Sequence, residues 1–415
     1  MNEKKIYFSD RRHYNWDVVS NTSIRSDHYT SNGICVDCTK CGICEVGLKA
    51  KTGRTIFPQP FGLQFGAEKR LPNLNDIQIL PEIFGEEVFF REVDTSCRIG
   101  GFRVKVPLVI AALGSTKVAY VSRKELSSGA AKAGIIRVVG ENVLPTYGKE
   151  GLKECVLPFL ENYDGNGAVV VQANVIDEKM NVPEIAAKIG AHAIEIKLGQ
   201  GSKQGLGGEV RVKSKKEAKK YEEIGYKIIE SKGDYERHTP PGSIKKDEIE
   251  KKIEKYKKLG LKIWVKVGFG RGILDLLEFL DGMVDAVTID GHGGGTGMSP
   301  WLIMNETSLP SCAVFGVKRK KFNFDLIVAG GICDGINCAK AIMLGADGVA
   351  MGRAFLIAAG QPNGVVNFTN AIKEELQMVC AVLRKKSVRE IRGLRKNLFA
   401  LSKEAKELFG LTNEI

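Results

Sequence analysis

Cys35, Cys38, Cys41 and Cys44 occupy every third position of the stretch 35-CVDCTKCGIC-44. Thiolates this close in sequence are a metal-ligand signature rather than a packing pattern. Structural zinc accepts four thiolates, but usually from two separated pairs. Successive two-residue gaps on one loop suit an iron–sulfur cubane better. The expectation is one iron–sulfur cluster, of the 4Fe–4S type, with zinc and redox-reactive thiols as the other readings. The run is not a copied ferredoxin motif: its last gap is two residues, and Glu45 rather than Pro follows Cys44. The other cysteines are scattered, mostly among apolar neighbours where Cys behaves as a small hydrophobe. No second quartet is present, and whether Cys97 joins the first is open.

A second chemistry lies further along. Lys266 sits near the end of the apolar run 261-LKIWVKVG-268. A lysine there is costly unless an anion meets it. A flavin fits, because a cation near the reduced ring would stabilise its charge. Gln172, in VVVQAN, is a lesser candidate for the ring edge. Lys197 ends IEIKLG and is followed by Gln200, Ser202, Lys203 and Gln204 on a glycine-rich loop. Two cations and several amides there could hold a small dicarboxylate. His292, within 290-DGHGGGTG-297, is a possible acid, base or ring contact. The pairs Gly330-Gly331 and Gly352-Arg353 each follow an apolar run, the first with a helix starting near Gly335. Bare backbone N–H groups and a helix start favour phosphate, and Arg353 could add a charge-assisted bond.

These residues need a scaffold that brings strand ends together. From about residue 105, short β-branched runs recur, most of them ending in Gly: 105–113, 135–139, 168–174, 192–198, 261–267, 285–289, 325–329 and 347–351. Helical patterns lie between most of them, at 121–133, 182–189, 214–224 with 245–259, 272–280 and 335–344. This grammar predicts an α/β fold, a (β/α)8 TIM barrel, with an N-terminal iron–sulfur-binding extension. No GxGxxG opens a helix after the first strand, which counts against a dinucleotide-binding sheet. The expected parts are a cysteine-rich cluster-binding extension (1–60), a lead-in packing on the barrel (61–103), the barrel (104–360) and a C-terminal helical segment (361–415). Every candidate loop then falls at the C-terminal ends of strands, where barrels do chemistry.

Bulk properties narrow the class. The 415 residues include 47 glycines and are 43% hydrophobic, enough for a buried parallel sheet with many tight loops. The formal charge of +12 comes largely from runs laced with acids, such as 213-KSKKEAKKYEEIGYKIIESK-232, which read as solvated helix faces. No nucleic-acid partner is expected; an anionic substrate or an acidic electron carrier suits the charge better. No apolar run is long enough to span a bilayer, and the first residues lack an apolar signal core, so no membrane partner and a cytoplasmic enzyme are expected. None of these patterns encodes an oligomeric state.

The runs 195-EIKLGQGSKQGLGG-208, 291-GHGGGTGMSP-300 and 325-DLIVAGGICDGINCAKAIMLGADGVAMGR-353, with 94-DTSCRIG-100 and 113-LGSTK-117, resemble the FMN-binding synthase domain of glutamate synthase. The resemblance implies FMN, and reduction of 2-iminoglutarate, formed from 2-oxoglutarate and ammonia, to glutamate. It implies that Lys266, Gly330, Gly331, Gly352 and Arg353 serve FMN, with Ser115 and Gln172 as lesser contacts. Lys197, Gln200 and Lys203 would face the substrate carboxylates, and Glu141 matches a loop glutamate near the substrate. Electrons would come through the cluster from a donor such as ferredoxin or a reductase subunit. The chain departs from the family at Gly293, where an Asp usually follows the histidine, and at 209-EVRVKSKK-216, where a Leu-Pro-Gly-His-Lys run is usual. The family's cluster cysteines normally follow the barrel, whereas only Cys380 lies beyond residue 353. Asn2, not a cysteine, follows Met1, so ammonia release from glutamine is not expected. A different anionic substrate, or an electron-transfer role without one, are the alternatives.

Overall fold

The computed structural model describes residues 71–201, 204–206, 209–212, 214–231, 234–292, 307–318 and 321–414. The cysteine run, and with it the expected cluster site, lies outside the described residues. Eight parallel strands close into a barrel in chain order: β1 Leu108–Leu113, β2 Ile136–Val139, β3 Ala168–Ala173, β4 Ala193–Lys197, β5 Lys262–Gly268, β6 Ala286–Asp290, β7 Asp325–Ala329 and β8 Gly348–Met351. Closure is made by Val349 opposite Leu108. All eight expected runs are strands, with ends shifted by three residues at most.

The runs are nearly all apolar because both faces are buried. Val109, Val138, Val170, Ala193, Trp264 and Ile327 pack together inside the barrel. Their neighbours Ile110, Val139, Val171, Ile194, Val265 and Leu326 join the layer beneath the helices. Those helices carry the matching stripe, as where Ile249, Ile253 and Tyr256 are the buried face of Lys246–Lys257. The helices Val182–Ile189 and Gly335–Leu344 have the expected bounds.

The hairpin Cys97–Ile99 and Phe102–Val104 closes the barrel's N-terminal end. Its turn uses Gly100 (φ +55) and Gly101 (φ +90). A Cβ on Gly100 would lie 2.3 Å from the Trp264 ring, whose Nε1 donates to the Gly100 carbonyl at 3.3 Å. The Gly100 N–H donates to Asp325 at 2.7 Å. With this floor sealed, the opposite end is the mouth.

Three features depart from the sequence reading. Helix Val143–Leu160 was not expected, because Pro145, Gly148, Gly151 and Pro158 break its pattern; Gly148 (φ 72, ψ −173) kinks it. The run 213–232 is not one helix face. Lys215–Ile224 ends at Gly225 (φ +112), and Lys227–Ser231 is a strand. That strand, Asp234–His238 and Glu209–Val212 form an antiparallel sheet with Asp234–His238 central. At the C-terminal end, Leu398–Ala400 pairs with Ile77–Ile79 of the lead-in. Among the described residues no helix is long and apolar enough to cross a membrane.

Candidate active site at the barrel mouth

Strand alternation sends Gln172, Glu195, Lys197, Lys266, Thr288 and Asp290 into the barrel above its apolar half. They form a bonded polar layer. Glu195 accepts from Gln172 Nε2 at 2.5 Å and from Thr288 Oγ1 at 3.0 Å. Lys266 Nζ lies 3.1 Å from Asp290, with each side chain 6% exposed. Burial pulls the Lys266 ammonium down, but Asp290 and Glu195 more than offset it and hold the group above its ordinary range. Burial pushes the Glu195 carboxyl up, against the opposing effect of Lys266. The anion that a lysine at position 266 demands is therefore supplied first by Asp290. Glu195 and Asp290 went unnoticed in the sequence, although the signal that exposes Lys266, a charge inside an apolar strand, also marks AIEIK and AVTID.

A second cluster lies on the loops after β2, β3 and β4. Lys197 pairs with Glu141, their side chains 7% and 15% exposed. The other Glu141 oxygen accepts from Asn174 Nδ2 at 2.7 Å. Asn142 next door has φ +63, a left-handed conformation that Asn tolerates and most residues do not. Five contacts hold it there. Its N–H donates to both Asp177 oxygens at 3.0 and 3.1 Å, and its Oδ1 accepts from Tyr226 at 2.7 Å and Asn174 at 3.0 Å. Its amide also donates to Thr239 at 3.3 Å. Tyr226 and Thr239 flank two strands of the inserted sheet, so that excursion braces the Glu141 loop. Burial pushes the Asp177 carboxyl up to about 7, although the Asn142 and Asn174 N–H groups favour the anion. None of these braces was singled out in the sequence, since their partners are far away along the chain.

Lys197, Glu141, Asn174, Gln200 and Thr239 line one pocket. Gln200 is 8% exposed, and its Nε2 is buried with no hydrogen-bond partner among the described residues. An unmet buried donor beside a cation suits a ligand carboxylate. Gln204 does not share this role. Its amide clips two loops together, accepting from Gly268 N–H at 2.8 Å and donating to the Leu198 carbonyl at 3.0 Å. Ser202 and Lys203 lie outside the described residues.

At the far side of the mouth, Gly330 (φ +129) and Gly331 (φ +73) turn the chain after β7. A Cβ on Gly330 would lie 3.1 Å from the His292 carbonyl, so this turn packs on the loop after β6. His292 Nδ1 lies 3.5 Å from the Thr307 carbonyl, too long for a firm bond. The helix Gly335–Leu344 does not present a bare start: Asp334 accepts from Asn337 N–H, and Glu375 accepts from Gly335 N–H. Two carboxylates there oppose the phosphate role expected of that start. The chain after β8 differs. Helix Arg353–Ala358 begins directly at Gly352 with no side-chain cap, and a Cβ on Gly352 would meet nothing nearer than Ala111 at 3.8 Å. That space and those N–H groups fit a phosphate. Ser115 sits on the β1 loop, its carbonyl accepting from Tyr147 at 3.0 Å.

Cys97 is on the floor hairpin, at the end opposite the mouth, and burial pushes its thiol up to about 12. Among the described residues no group of three or more His, Cys, Asp or Glu is arranged to hold a metal ion.

Residues 101–410 match the family model described as a conserved region in glutamate synthase. The chain is 25% identical over 328 residues to a glutamate synthase large subunit-like protein of Rhizobium meliloti, covering 71% of this chain and 66% of that one. It is 26% identical over 276 residues to an archaeal glutamate synthase (NADPH) of Archaeoglobus fulgidus, covering 62% and 49%. The chain thus spans about half to two thirds of these curated relatives. Among solved structures it resembles the flavin-binding domain of baker's yeast flavocytochrome b2 (TM-score 0.57, 20% identity, 82% and 79% covered). An active chimera of (S)-mandelate dehydrogenase has the same fold (TM-score 0.54, 17% identity, 79% and 88% covered).

Proposed function

Since the chain belongs to the glutamate synthase family, whose conserved region spans most of it, we propose that it is an FMN-dependent oxidoreductase acting on an anionic imine. The substrate is 2-iminoglutarate, formed from 2-oxoglutarate and ammonia, and the product is glutamate. The observation that carries this reading is the mouth pocket, where the Lys197–Glu141 pair and the unmet Gln200 amide stand together.

Gly352, Arg353, Gly330 and Gly331 would hold the FMN phosphate, with the open space at Gly352 as the cradle. Lys266 and Gln172 would meet the ring, and Ser115 would add a lesser contact. When bound, the flavin supplies hydride chemistry and accepts electrons singly. The chain's own residues bind and protonate. Lys197 and Gln200, with Lys203 on the same loop, take the substrate carboxylates. Glu141, bridged between Lys197 and Asn174, would orient the proton-bearing Lys197 Nζ towards the imine nitrogen, which gains a proton as its carbon gains hydride. His292, on the loop after β6, would serve as an acid, a base or a ring contact. The run Cys35–Cys44 would hold one iron–sulfur cluster of the 4Fe–4S type, loaded by ferredoxin or a reductase subunit. Its spacing supports this, and one zinc with no iron in anaerobically purified protein would overturn it.

The test is anaerobic reoxidation of the reduced protein, followed in the flavin band, against 2-oxo acids with and without ammonia. Reoxidation that needs both 2-oxoglutarate and ammonia supports the synthase reading. Reoxidation by another 2-oxo acid transfers the reading to that substrate, and indifference to all of them leaves an electron-transfer subunit.

A further inference from the structure

A second cavity bounded by described residues lies away from the mouth. It lies at the floor and measures about 620 Å³. Two separate segments bring guanidinium groups to it: Arg98 and Arg103 from the hairpin, and Arg389 and Arg392 from the stretch after helix Gly364–Val382. Asp325 and Asp347, at the entrances to β7 and β8, supply the opposing charge.

Those carboxylates are committed. Asp347 pairs with Arg392 at 2.5 Å and accepts from Leu326 N–H at 2.8 Å. Asp325 accepts the Gly100 N–H that anchors the hairpin. Arg389 pairs with Asp94 at 2.7 Å. Among the described residues Arg98 and Arg103 form no close ion pair, Arg103 acting on the Asp94 carboxylate only at longer range, and Arg98 Nη2 donates to the Gly101 carbonyl. They stand directly opposite each other in the antiparallel register, on one face of the hairpin. Like charges in that position repel. Nothing within the hairpin needs two arginines there, since Ile99 and Val104 do its packing. Paired guanidinium forks at the rim of a cavity are a geometry for bidentate capture of oxyanions.

We propose that this floor pocket is a second binding site, separate from the mouth, for a small ligand bearing two oxyanion groups, bridged by Arg98 and Arg103. A diphosphate or a polycarboxylate has that chemistry. Binding would tie the floor hairpin to the segment carrying Arg389 and Arg392. Because the hairpin also buttresses Trp264, occupancy would tighten the barrel floor.

The test uses the full chain, titrated separately with pyrophosphate and with citrate at matched ionic strength, by calorimetry. Saturable binding of one or both is expected, and which probe binds identifies the ligand class. R98Q/R103Q should weaken it about tenfold or more, while K132Q, an exposed lysine on the helix Arg123–Ala133, should not. Wild-type hydrogen exchange with the probe bound should show protection at 96–104 and 388–392, a readout that survives even if the double variant folds poorly. The proposal is overturned if neither probe saturates, if a folded double variant binds as wild type does, or if protection appears only at the mouth loops.

Discussion

Asp177→Asn is the sharpest probe of the site's electrostatics. The Asp177 carboxyl is buried, and its folded-state value of about 7 stands well above the ordinary 3.8. The folded protein therefore binds this proton more tightly than the unfolded chain does. Its contribution to stability is full below about pH 3.8 and is lost as pH rises through about 7. At 1.36 kcal/mol per pH unit, the whole shift corresponds to about 4 kcal/mol, and the part lost between about pH 5 and pH 8 is roughly 2–3 kcal/mol. An asparagine cannot ionise, yet its Oδ1 can still accept from the Asn142 and Asn174 N–H groups. The variant should be close to wild type in stability near pH 5 and gain on it by about that amount near pH 8. The assay is denaturant unfolding of both proteins across that range, with thermal midpoints as a second readout. Glu195 and Asp347 are also raised by burial, but they are common to both proteins and cancel in the difference. Stability curves that run parallel from pH 5 to 8 would refute the reasoning.

Lys197→Met leaves the Glu141 carboxylate buried without its counter-charge and should cost about 3–5 kcal/mol in unfolding experiments. The double variant with Glu141→Gln should recover a large part of that loss; equal destabilisation of single and double variants would contradict a buried pair. Gly100→Ala combines a left-handed φ with a Cβ that lands on the Trp264 ring, and should lose about 2–4 kcal/mol through strain and overpacking. Near-wild-type melting would show that the floor hairpin is not seated against Trp264.

Much of the scaffold was legible in the residues alone. A barrel strand buried on both faces must be a short apolar, β-branched run, and its exit must turn sharply. Runs such as DLIVAGG and DGVAMGR carry both signals within a few residues. Lys266 was legible too, because a lone charge in such a run needs a chemical reason. Helix Val143–Leu160 was hidden by its own prolines and glycines, and the strand Lys227–Ser231 by lysines and glutamates that also suit a solvated helix.

The sequence by itself determined the order of strands and loops, and hence which residues stand at the mouth. It could not say which of them meet. Pairing of the neighbouring strands β5 and β6 sets Asp290 against Lys266, and folding of the barrel brings Glu141 against Lys197, 56 residues apart. The same folding places Asp177 against Asn142 and Arg98 and Arg103 at the floor cavity. Local periodicity reports only which face a side chain takes. Pairing energy and the shift it imposes on a proton depend on distance through space and on exclusion of water, and both arise only when the chain closes on itself.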